Sequence, residues 1–275
     1  MHNEQLAPDL TRAIDRLEAH DPAGALTLLI SYLQGRPDDP AAHFYHGDAL
    51  SELGRVDEAI AAYQEGLRLR PDDADALTTL GDLQLEAGNH RAALASYRRL
   101  LTLDPGDADA LVSIGLVYHT QDRGDEAIEA FQQAIDREPD NLFAWNALGD
   151  AWYGQGEPQK AIEAYQKGIE LDPHDPAAYH NLGELLYDLE EYEEAEAHCL
   201  TAVRLDPAFS MAYLTLGGLC MDQERMADAL HYYRLYLRHE RSSQATEMLA
   251  EVTAVVEGLQ EELAAEGGGT GRKKR

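Results

Sequence analysis

The chain has 275 residues, 51 of them acidic and 22 basic, for a formal charge of −29 at pH 7. Such a field repels nucleic acid and acidic membrane surfaces and speeds the approach of basic proteins, although acidity also serves simply to keep a partly apolar surface dissolved. Residues 1–9 lack a basic stretch followed by an apolar core, and no apolar run is long enough to span a bilayer, so a cytoplasmic location is expected.

Pro37, Pro71, Pro105, Pro139, Pro173 and Pro207 recur every 34 residues without an insertion. A unit of that length cannot bury its own apolar face and must stack on its neighbours, so the expected function lies on a surface. After an extension at residues 1–5, seven units are expected at 6–39, 40–73, 74–107, 108–141, 142–175, 176–209 and 210–243. Place eight of each unit reads Ala13, Gly47, Gly81, Gly115, Gly149, Gly183 and Gly217; place twenty is always alanine, from Ala25 to Ala229. Small residues at two fixed places are what two helices need for close approach, so each unit is expected to be a helical hairpin. Leu80, Ile114, Leu148, Leu182 and Leu216 on the first helices, with Tyr63, Tyr97, Phe131, Tyr165 and Tyr233 on the second, are the candidate core.

In chain order, Pro22 suits the first turn of a helix in unit one. In unit two, His43 and His46 could project together as metal ligands, but no third ligand is placed and the register turns His46 towards the core, so no metal is expected. Gly54, Gly88 and Gly156 suit the left-handed turn between two helices. Asp39, Asp73, Asp107, Asn141 and Asp175 stand just before a helix, where a short acceptor caps free backbone donors. Cys199 and Cys220, without the paired spacing of a zinc site, are expected to be buried thiols. Beyond Ser242 and Ser243, residues 244–265 keep a helical apolar spacing, expected to close the stack. The same helix offers a two-heptad seam of Met248, Val252, Val255 and Leu259 for a homo-oligomer, which is not favoured because the last hairpin would then be left bare. Residues 266–275, with consecutive glycines and the cluster Arg272, Lys273, Lys274 and Arg275, are expected to be a disordered basic tail.

With its 34-residue spacing and Trp145, Leu148, Gly149, Ala161, Tyr165 and Pro173 in one unit, the chain resembles the tetratricopeptide repeat family. The resemblance implies an all-α, right-handed solenoid of helical hairpins with a capping helix; the sequence holds no phosphate-binding glycine loop ending in lysine and no HExxH helix, so no enzyme is expected. The resemblance also implies that the first helix of each unit lines a concave wall, with places two, five, six, nine, twelve and thirteen facing the groove. Those places hold Phe44, Tyr45, Asp48, Ser51, Glu52, Thr79, Asp82 and Glu86 in units two and three. Asp109, His119, Phe143, Asn146, Asp150 and Tyr153 follow in the next pair, then His180, Asn181, Glu184, Tyr187 and Asp188 in unit six. The lysine and arginine clamp with which relatives of this kind hold acidic peptide tails is lacking. Carboxylates alternating with aromatic rings instead suit an extended segment bearing lysine or arginine between apolar anchors. The expected function is therefore a non-enzymatic adaptor for a basic or amphipathic protein segment, without cofactor. A self-assembling scaffold and a regulatory subunit that positions a separate enzyme stay open.

Overall fold

A computed structural model of the chain describes residues 8–242 and 245–269. The expectations for residues 1–5, Ser243 and the cluster Arg272–Arg275 lie outside the described residues. The regular structure of the described residues is helical throughout, and the chain divides into two compact units, Met1–Pro139 and Asp140–Arg275.

The first unit holds α1 (Pro8–Glu18), α2 (Pro22–Gly35), α3 (Pro40–Glu52), α4 (Val56–Leu69), α5 (Ala74–Glu86), α6 (His90–Leu103), α7 (Ala108–His119) and α8 (Gly124–Arg137). Odd and even helices pair as hairpins, and each hairpin stacks on the next through α2 on α3, α4 on α5 and α6 on α7. The second unit holds α9 (Leu142–Gly154), α10 (Pro158–Leu171), α11 (Pro176–Asp188), α12 (Tyr192–Leu205), α13 (Ser210–Asp222), α14 (Met226–His239) and α15 (Thr246–Gly269). Its hairpins are α9/α10, α11/α12 and α13/α14, and α15 packs on α14.

Local chemistry sets these elements. The side chains of Asp39, Asp73, Asp107, Asn141 and Asp175 each accept from a backbone N–H in the first turn of the following helix, satisfying donors the helix cannot. Every hairpin turn contains one residue at positive φ, and these stand 34 apart: His20, Gly54, Gly88, Asp122, Gly156, Glu190 and Glu224, with φ between 55° and 72°. Only three of the seven are glycine, so four L side chains occupy a backbone region that favours glycine. The turn is held regardless, because the next residue donates its N–H back across it, as Arg55 does to the Leu50 carbonyl at 2.9 Å and Glu191 to Leu186 at 2.9 Å.

The small places work differently from expectation. Ala25, Ala59, Ala93, Ala127, Ala161, Ala195 and Ala229 are fully buried, but the place-eight glycine mostly admits a ring rather than a backbone. A Cβ on Gly149 would lie 2.5 Å from Tyr165, and Gly47, Gly81, Gly115 and Gly217 meet Tyr63, Tyr97, Phe131 and Tyr233 in the same way. Gly183 faces Cys199 instead, and there the second helix's own backbone closes in, with the Ala195 carbonyl 3.2 Å from a Cβ.

Val252, Val256 and Leu259 of α15 are buried against the last hairpin, whereas Met248 and Val255 stay exposed. The seam residues are therefore split between two faces of the helix. The helix runs on to Gly269, past the end expected at residue 265.

Candidate partner-binding walls

The first helices carry the side chains expected to bind, and the second helices fix where those side chains stand. Tyr63 of α4 donates its hydroxyl to Asp48 of α3, Tyr97 of α6 to Asp82 of α5 at 2.6 Å, and Tyr165 of α10 to Asp150 of α9 at 2.6 Å. Each donor ring is the one resting on the place-eight glycine, so the absent Cβ sets the depth of the ring and the ring positions the carboxylate. In α7/α8 the pair is Leu116 and Phe131, so donor and acceptor are lacking together. Burial pushes all three tyrosine hydroxyls far up, and the facing carboxylates push them further. Burial also raises the Asp48 carboxyl, with the Tyr63 bond opposing and the Glu52 charge assisting.

In the first unit this arrangement frames a cavity of about 410 Å³ between α1, α3 and α5. Tyr45, Asp48 and Thr79 line it with Ser51 and Glu52, and Ile14, Leu17 and Glu18 of α1 complete it. The α1 residues are absent from the expected set, although they occupy places nine, twelve and thirteen of unit one and the same register finds them. No ion pair among the described residues involves Glu18, Asp48 or Glu52. A cavity with an apolar side and three carboxylates suits an aliphatic stem ending in a cation. Asp82, Glu86, Asp109 and His119 lie outside it, on α5 and α7.

The second unit uses its acids differently. Tyr153 of α9 donates to Asp188 of α11, and Tyr187 of α11 donates to Asp222 of α13 at 2.7 Å, so tyrosines on successive first helices bond the hairpin that follows. Glu184 stands among them; partial burial, then Asp188 and Asp150, raise its carboxyl. The Asp188 bond and partial burial push the Tyr153 hydroxyl up to about 12. None of Glu184, Asp188 and Asp222 takes part in an ion pair among the described residues. Phe143 is 60 % exposed and Asn181 half-buried.

Place five departs from expectation. His180 is 5 % exposed, its Nε2 lies 3.2 Å from Thr215 Oγ1 and its ring packs on Phe209, so it joins two hairpins and does not face a groove. Asn146 turns its buried Oδ1 inward, where a Cβ on Gly168 would lie 2.8 Å away, and Phe44 packs over Gly66 and stacks on Tyr63. For Asn146 and Phe44 the physical reason is a second glycine, at place twenty-seven of the unit and on its second helix, that leaves room for the place-five side chain inside the hairpin.

The other sequence candidates resolve simply. His43 Nε2 lies 2.8 Å from the Pro37 carbonyl, and burial lowers the pKa of the half-buried His46. Among the described residues no group of three or more His, Cys, Asp or Glu side chains is arranged to hold a metal. Cys199 and Cys220 are free and buried, and burial pushes their thiols up to about 12 and about 11, so both stay protonated at neutral pH. No described helix is long and apolar enough to cross a membrane.

Tetratricopeptide repeat models match residues 47–88, 78–141, 121–176 and 152–212. Among solved structures, a tetratricopeptide repeat protein from Parabacteroides merdae ATCC 43184 is 18 % identical with a TM-score of 0.74, covering 90 % of this chain and 97 % of its own. MamA from Desulfovibrio magneticus RS-1, residues 41 to the end, is 25 % identical with a TM-score of 0.56 over 61 % of this chain and 97 % of its own. Pseudomonas aeruginosa pilF is 22 % identical with a TM-score of 0.60 over 80 % of this chain and 99 % of its own. No curated protein matches the sequence.

Proposed function

The chain belongs to the tetratricopeptide repeat family of protein-interaction scaffolds, and from that premise we propose that it holds an extended basic or amphipathic segment of another protein along its first-helix walls. One observation carries the reading: the cavity of about 410 Å³ in the first unit sets Glu18, Asp48 and Glu52 around Ile14, Leu17 and Tyr45, with no cation of the described residues paired to them. Carboxylates held in place by tyrosine hydroxyls, as Asp48 is by Tyr63, do not need reordering when a guanidinium or ammonium arrives, which lowers the entropic cost of binding. Further lysines or arginines of the same partner would meet Asp82, Glu86 and Asp109 in the first unit, and Asp150 and Glu184 offer the second unit the same chemistry. His119 in the first unit, and Phe143, Asn181 and Tyr187 in the second, would supply polar and ring contacts beside the acids of their own unit. The protein acts as an adaptor without chemistry of its own.

The test is affinity capture from native cell extract with the wild-type chain and with the double variant Glu18→Lys, Glu52→Lys. Partners carrying basic, extended segments should be retained by the first and lost by the second. Retention of the same partners by both would overturn the reading.

A further inference from the structure

On the side of the first unit built by α4, α5 and α6 lies another cavity, of about 400 Å³, within the size range of small-ligand sites. Its floor is apolar, from Leu67, Leu77 and Leu80. Gln84 lines this apolar setting although it is only 4 % exposed. Ser96 Oγ donates to Gln84 Oε1 at 2.8 Å, but the amide nitrogen of Gln84 makes no hydrogen bond with the described residues. That nitrogen is not sealed from solvent, so it is a spare donor that a ligand filling the cavity can meet. Two guanidiniums also line the cavity: Arg68, paired with Glu65 at 2.8 Å, and Arg99, which donates to the Pro71 carbonyl and lies 3.8 Å from Asp72. A guanidinium has five N–H donors, so each keeps donors to spare.

The cavity belongs to this hairpin because its sequence breaks the repeat pattern at two places. Where Gln84 stands, units two and four to seven hold Leu50, Tyr118, Trp152, Leu186 and Cys220, whereas unit one holds Arg16. Where Ala92 lines the cavity, units two and four to seven hold Glu58, Glu126, Lys160, Glu194 and Asp228, side chains long enough to cover such a space, whereas unit one holds Gly24.

We propose that this cavity is a binding site for a small amphiphilic carboxylate, an unbranched aliphatic acid whose chain lies on Leu67, Leu77 and Leu80 and whose carboxylate takes the Arg68 and Arg99 donors. The Gln84 amide supplies an inner polar contact. The negative charge of the whole chain opposes an anion at long range, but in physiological salt its reach is about 8 Å, and within that distance Glu65 and Asp72 balance Arg68 and Arg99, so the carboxylate is held by the spare guanidinium donors and not by a net positive field. Local geometry, not net charge, selects the ligand.

The experiment titrates the full chain with octanoate, following backbone amide shifts by NMR, against butanoate, octylamine and the variants Ala92→Glu and Arg99→Gln. Saturable shifts confined to α4, α5 and α6 are expected with octanoate, weakened about tenfold in Arg99→Gln and lost in Ala92→Glu, whose melting temperature should match wild type. Butanoate should bind more weakly for want of apolar contact, and octylamine should not bind there. Absence of saturable shifts, equal binding by Ala92→Glu, or equal binding of octylamine would each overturn the proposal. A saturable response at these helices to an apolar protein segment but not to octanoate would also overturn it, since the site would then be a docking surface.

Discussion

The two units carry the same acidic repeat pattern and use it differently. In the first, Tyr63 and Tyr97 tie carboxylates inside their own hairpins, and the wall opens into a cavity where Glu18 and Glu52 have no cation among the described residues. In the second, Tyr165 makes the same bond inside its hairpin, but Tyr153 and Tyr187 also bond Asp188 and Asp222 of the hairpin that follows. An acid on these walls is thus an acceptor inside a hairpin, a link between hairpins, or a carboxylate with no ion pair among the described residues, while other acids cap helices or pair with arginine. Net charge cannot separate them.

The largest effect should come from the glycines that both units share. Gly81→Val in the first unit and Gly149→Val in the second would drive a branched side chain into Tyr97 and Tyr165, costing about 1–3 kcal/mol each. Urea unfolding of each variant would show it; an unchanged midpoint would mean that the ring is not seated on the backbone. Next come the hydroxyls. Tyr97→Phe should cost about 1 kcal/mol, the usual net worth of such a bond. Tyr187→Phe, which breaks a bond at the surface of the second unit, should cost less in the same measurement. Equal losses would erase the distinction between the two kinds of tyrosine.

Acidity sharpens the comparison further. Burial raises the Asp48 carboxyl in the first unit and the Glu184 carboxyl in the second above their ordinary values of 3.8 and 4.5. The folded chain therefore holds these protons more tightly than the unfolded chain, so their contribution is fully present below the ordinary values and is lost as pH rises through the raised ones. Across that window these two carboxyls pull stability down as pH rises, against the pull of lowered carboxyls such as Glu58 and Glu126, so the slope of stability against pH should turn more positive in Asp48→Asn and Glu184→Gln than in wild type. Identical slopes in the variants would remove both carboxyls from the pH response. The smallest effect is expected at the hairpin turns: Glu190→Gly and Glu224→Gly relieve an L side chain at positive φ and should gain at most about 1 kcal/mol, whereas the glycine turn at Gly88 has nothing to gain.

The features legible in the sequence are those that chain-local chemistry decides. The 34-residue period, the caps at Asp73 and Asn141 and the left-handed turns at Gly54, Gly88 and Gly156 each depend on a few neighbouring residues, and each is found in place. What escapes a reading of the sequence depends on contacts between helices. His180 and Asn146 sit on the same helices as the groove residues but turn inward, towards partners distant in sequence such as Thr215 and Gly168. The tyrosine–carboxylate pairs likewise join residues 15 apart in one hairpin or 35 apart across two. The pairs leave no consistent signal in the chain: Leu116 and Phe131 replace acceptor and donor together, but the same register sets Glu184 with Cys199 and Gly218 with Tyr233. Ile14, Leu17 and Glu18 needed only the same register carried into the first unit.

The most direct measurement is the affinity of a labelled peptide alternating arginine with leucine for the intact chain, taken by fluorescence anisotropy against Glu18→Lys, Glu52→Lys and over a range of salt. The wild type should bind, weaken steadily as salt rises, and lose at least about tenfold in the variant. Equal affinity in the variant, or equally strong binding of a peptide alternating glutamate with leucine, would contradict an acidic wall built to receive cations.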